Sequence, residues 1–170
     1  MIVLAISAIL LSLALPGFRT LALNTRRTVT VDTLVLSFSL ARAEAQKRGS
    51  AVTVCGLNSS GAGCANGADW RYGWMVFVDT NANGAWDAGE PAPLQKYMTD
   101  DPARRRVTAN TYGMTAGFVL LQPFNQGATA ATVTVCDSRG ASAARAVTVS
   151  GTGRAAGSDK DLNYAALTCP

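Results

Sequence analysis

The chain has 170 residues, of which 48% are hydrophobic and 15% charged, with a net charge of +4. That length suits one globular domain with an appendage, and the apolar share excludes a disordered or generally nucleic-acid-like chain. No histidine is present, which removes Ser-His-Asp and Cys-His devices and the commonest zinc ligand, so no enzymatic activity is expected.

The first element is apolar. Residues 1–18 carry no charge, and the run MIVLAISAILLSLAL is almost purely aliphatic. A secretory signal peptide would open with a positive segment and close on a small-x-small cleavage site; Leu15-Pro16-Gly17-Phe18 supplies neither. A membrane-spanning helix takes about 20 apolar residues, and the run ends just short of that at Arg19. Pro16 is expected to kink the helix, since it lacks an N–H and its ring meets a carbonyl one turn back.

Helical patterning resumes beyond it. Val31, Leu34, Phe38, Ala41 and Ala45 follow the alternating three-four spacing of one helical face, while Arg26, Ser37, Glu44 and Lys47 fall on others. Gly49 is a natural stop. The spacing predicts one long helix with an apolar half, 1–18, for lipid or for copies of itself. An amphipathic half, 19–49, then packs on a head formed by residues 50–170.

In the head, short runs rich in Val, Thr, Phe and Tyr predict strands at Ala51–Cys55, Trp74–Val78, Arg106–Thr108, Phe118–Leu121, Thr132–Cys136 and Ala146–Ser150. Together they predict an α+β fold, a long kinked helix packed across an antiparallel sheet. Cys55, Cys64, Cys136 and Cys169 form an even set without CxxC spacing, which in an exported chain reads as two disulfides. Of the three pairings, Cys55–Cys64, closing a Gly/Ser/Asn-rich loop, and Cys136–Cys169, tying back the C-terminal tail, are favoured.

Asp79, Asn81, Asn83, Asp87 and Glu90 place side-chain oxygens at positions 1, 3, 5, 9 and 12 of a calcium-type loop, with Gly84 at the sharp turn. A strand leads into this loop where a calcium loop of that type has a helix, and Asn83-Gly84 is itself a turn signal. A hairpin turn and a calcium site are therefore both open; no other cofactor is expected. Trp70, Tyr72, Trp74 and Trp86 around it read as buried packing, and Asp100-Asp101 before Pro102 reads as a turn. The basic clusters Arg26-Arg27, Lys47-Arg48 and Arg104–Arg106 read as solvated faces.

The segments MIVLAISAILLSLALPGFRTL, LARAEAQKRGSAVTVC and WRYGWMVFVDTNANGAWDAGE resemble the GspH/FimT family of type II secretion pseudopilins and type IV minor pilins. The resemblance implies a pilin-like fold and a filament subunit held in the bacterial inner membrane, its head in the periplasm. It also implies other pilins or pseudopilins and an assembly platform as partners. Family members are cut and N-methylated by prepilin peptidase at a leader motif. This sequence begins inside the apolar helix without that motif, which implies a longer precursor. Pro16 falls where the family has its kinking proline. Some FimT-like members bind DNA through a Gly-Arg-x-Arg element; here Gly153 and Arg154 match while Ala156 replaces the second arginine. The alternative reading is thus a DNA receptor using Arg104, Arg105, Arg106, Arg145 and Arg154.

Overall fold

The computed structural model describes residues 2–103, 105–111, 117–124 and 126–169, with the backbone alone for residues 2–17 and 111. The first element, α1, runs unbroken from Ile2 to Arg48. Its middle, NTRRTVTVDT, is rich in β-branched residues that favour helix weakly. Here Thr25, Thr30, Thr33 and Ser37 each donate a hydroxyl to the carbonyl four residues back, so these polar groups are satisfied within the helix rather than competing with it. The helix ends at Gly49, whose φ of 63° is left-handed and whose N–H donates to Ala45 O at 3.0 Å.

Eight strands follow: β1 (Val52–Gly56), β2 (Gly73–Val78), β3 (Gln95–Met98), β4 (Arg106–Thr111), β5 (Phe118–Leu121), β6 (Ala131–Cys136), β7 (Arg145–Val149) and β8 (Ala155–Ser158). The antiparallel head the sequence predicts is built as two sheets, ordered β3-β2-β1-β5 and β4-β6-β7-β8, with every ladder antiparallel. Period-two alternation reports which face of a strand is buried, not which strands share a ladder.

The alternation sorts residues into layers. Val52, Val54, Trp74 and Val76 join Val133, Val135, Val147 and Val149 in one core under Val31, Leu34, Phe38, Ala41 and Ala45 of α1. The intervening Cys55, Met75 and Phe77 form a second cluster with Leu57 on the outer face of the first sheet. Cys136, Ala144, Ala146 and Leu167 form a third on the second sheet. Each outer cluster is covered by chain that a disulfide holds down: Cys55 is bonded to Cys64 and Cys136 to Cys169.

Ser37, outside the apolar stripe, is nonetheless fully buried, because Trp74 of β2 reaches its hydroxyl. Trp86 does not join the buried aromatics: Trp70 and Trp74 are fully buried, whereas Trp86 is 36% exposed, its indole N–H donating to Pro91 O.

Candidate functional site

The helix carries two apolar stripes, and the sequence reading found only one of them. Facing the sheets are Val31, Leu34, Phe38, Ala41 and Ala45. Facing solvent are Phe18 (69% exposed), Leu21, Val29 and Leu36 (67% exposed). At about 100° of rotation per residue, the second set lies about 180° from the first. Its spacing of three, eight and seven residues is as helical as that of the core face. In the sequence it is masked, because Arg19, Arg26, Arg27 and Asp32 are interleaved and lower the local hydropathy. An exposed apolar stripe on a helix is a mark of a docking face.

Among the described residues no helix is long and apolar enough to cross a membrane. The side chains of residues 2–17, on which the anchor reading of 1–18 and the role of Pro16 rest, lie outside those described.

The loop from Asp79 to Glu90 is closed by its own donors. Asp79 is fully buried; its Oδ1 accepts from the Asn83 N–H, and its Oδ2 from the Gly84 N–H and the Thr53 hydroxyl, at 2.8–3.1 Å. The side-chain amides of Asn81 and Asn83 donate to Asp87 Oδ2, and that donation holds the Asp87 carboxyl below the ordinary carboxylate range. Glu90 accepts from the Thr80 and Asp87 N–H groups. Gly84 has φ 79°, and a Cβ there would come within 2.3 Å of the Phe118 ring, so the turn needs glycine. The five oxygen-bearing residues are therefore brought together, and their oxygens face loop amides. Among the described residues no three carboxylates, cysteines or histidines converge to hold a metal ion.

Among the described residues, the arginines proposed for DNA are not all brought together. Arg106 lies opposite Cys136, and Arg145 opposite Val135, so these two share one end of the second sheet. Arg154 precedes the Val149–Ala155 pair at the other end, in the turn joining β7 to β8. The Gly-rich stretch around it is that turn, with the Gly153 N–H donating to Ser150 O. Arg105 is held by Asp100 and the Tyr97 hydroxyl, and Arg145 by Asp159. Arg104 lies outside the described residues.

One electrostatic linkage ties the head to the helix. Arg139 clasps Asp137 at 2.5 Å and donates from its other Nη to Asn24 Oδ1 of α1 at 2.8 Å. The guanidinium holds the Asp137 carboxyl below its ordinary range, and Asp137 in turn raises Arg139.

Comparison with known proteins agrees with this architecture. No match is found among curated proteins. The type IV minor pilin FimU of Pseudomonas aeruginosa, solved in two crystal forms, superposes with a TM-score of 0.51 at 18% identity over 76% of this chain and 90% of that one. In the other form the TM-score is 0.53 at 20% identity, over 78% and 87%. That likeness is one of fold, a helix laid on antiparallel sheets. The family model for the type II transport protein GspH matches residues 30–153, most of the head and the packed half of the helix; the chain belongs to the GspH family.

Proposed function

We propose that the chain is a structural subunit, a minor pilin or pseudopilin, of a type IV pilus or of a type II secretion pseudopilus. The observation that carries the reading is the outward stripe Phe18, Leu21, Val29 and Leu36, which leaves α1 with an apolar face its own head does not cover. A helix apolar on both faces has one face for its own domain and one for a neighbour. In this account residues 1–18 rest in the inner membrane and the head lies in the periplasm. On extraction the apolar half moves from lipid to the company of other helices, an exchange of one apolar surrounding for another that costs little desolvation.

The test is a photocrosslinking residue placed at Leu36 in cells that build such filaments. Adducts to other pilin or pseudopilin subunits are the expected outcome; adducts to none of them would count against the reading.

DNA uptake has a single observation in its favour, the exposed Arg154 in the β7–β8 turn. It is the weaker reading, because Arg105 and Arg145 already hold Asp100 and Asp159. A gel shift of the whole protein at two salt concentrations decides it: DNA binding through arginines weakens steeply with salt, and the structural reading expects no salt-sensitive shift at micromolar protein.

A further inference from the structure

Between α1, just past its apolar run, and the near end of β6 lies a pocket of about 560 Å³. Arg19, Arg26, Arg27 and Arg105 line it, and Ala22, Leu23 and Val135 give it an apolar floor. Two carboxylates also line it, Asp101 and Asp137, so four positive and two negative charges leave a balance of +2. Asp137 is committed to Arg139, and Arg105 to Asp100 and Tyr97.

The remaining arginines are underused. Among the described residues no carboxylate pairs with the exposed Arg19 or Arg26. Arg27 donates from Nη1 to Ala143 O, yet its Nε is buried with no acceptor. A buried donor of that kind is destabilising until an acceptor arrives.

We infer that this pocket binds the phosphodiester of an anionic glycerophospholipid headgroup. Guanidinium forks match phosphate oxygens two at a time, and several from one wall can share a single group. The apolar floor beside them suits the glycerol and the first acyl carbons, and the volume exceeds what a free phosphate fills. The position is the second argument and rests on the proposed function. If residues 1–18 lie in lipid, Arg19 to Arg27 stand where the helix enters the headgroup layer, which attracts clustered basic side chains. The site clamps the head against the membrane surface until the subunit is extracted.

Native mass spectrometry of the full chain in neutral detergent tests this, with equimolar phosphatidylglycerol and phosphatidylcholine as probes. The wild type is expected to retain one phosphatidylglycerol in preference. Retention should fall about tenfold or more in Arg19→Gln/Arg26→Gln, for each lost charge-assisted contact is of that order. Neither side chain supports the fold, so the variant keeps the head intact. Arg71→Gln, in an exposed pair with Asp69, should change nothing. Equal retention of the two lipids, or a variant that binds like wild type, overturns the inference. So does full displacement by inorganic phosphate, which assigns the site to a free anion, or by a short DNA duplex, which assigns it to nucleic acid. The crosslink at Leu36 is scored separately, so lipid retention without crosslinks counts against the filament reading alone.

Discussion

The indole N–H of Trp74 donates to Ser37 Oγ across 2.9 Å, joining the centre of the first sheet to α1 inside the core. The Ser37 oxygen also lies 2.9 Å from Thr33 O and 2.8 Å from Gln95 Oε1, and its one proton serves one of these acceptors at a time. Ser37→Ala leaves the buried indole N–H without an acceptor. We expect a loss of about 1–3 kcal/mol in unfolding free energy, read from the urea midpoint. Adding Trp74→Phe should cost less in that background than in wild type. Strict additivity of the two would mean that the hydrogen bond contributes nothing.

Asp79 gathers three donors from Thr53, Asn83 and Gly84. Asp79→Ala should therefore cost about 3 kcal/mol or more and expose the Gly84 amide to fast hydrogen exchange. Because the loop is closed by its own amides, millimolar calcium should shift the wild-type melting temperature by less than about 1 °C. A rise of several degrees would show that the ion displaces the Asn81 and Asn83 donors, and would establish the loop as a calcium site.

The two disulfides differ in the length of chain they close, 9 residues for Cys55–Cys64 and 33 for Cys136–Cys169. Chain entropy then ranks their removal by paired serine substitution at about 2–3 and about 3–4 kcal/mol. The second should also release the tail carrying Leu167, which packs on Cys136 and Ala146, and so open the outer face of the second sheet to proteolysis. Equal losses for the two pairs would contradict this ranking.

The Asp137–Arg139 pair sets an acid limb. The Asp137 carboxyl is depressed in the fold, by Arg139 above all, so its contribution is present above the ordinary aspartate value near 4. It is lost as pH falls through the lower folded value. Asp137→Asn should cost about 1 kcal/mol at pH 7, with the deficit shrinking below about pH 4 until the two proteins converge. Thermal melts from about pH 2 to about pH 7 read this directly; a deficit constant with pH would sink the assignment.

Much of the fold is legible in the residues because their patterning is physical. The Val31–Ala45 face is all buried, the Phe118–Leu121 strand has the predicted bounds, and the strands at Cys55, Val78 and Cys136 lie within a residue or so of expectation. The missed strands, Gln95–Met98 and Ala155–Ser158, are edges, polar or built of small residues. They exist because β2 and β7 offer them unpaired backbone groups, which no local pattern announces. The outward stripe of α1 had a periodic signal, masked by the charges set among its apolar residues. The pocket had none: Arg27 and Arg105 are far apart in the chain, and only packing of the head on α1 brings them to one pocket.

On the proposed function, the outward stripe of α1 is where this subunit meets its neighbours. Its most direct test is the content of filaments sheared from cells expressing the full chain, wild type against Leu36→Glu. Leu36 is exposed, so the substitution should leave the head's melting temperature within about 1–2 °C of wild type. The account predicts that the wild type is recovered in the filament fraction and that Leu36→Glu stays behind with the cells. Recovery of Leu36→Glu in filaments at the wild-type level would contradict it.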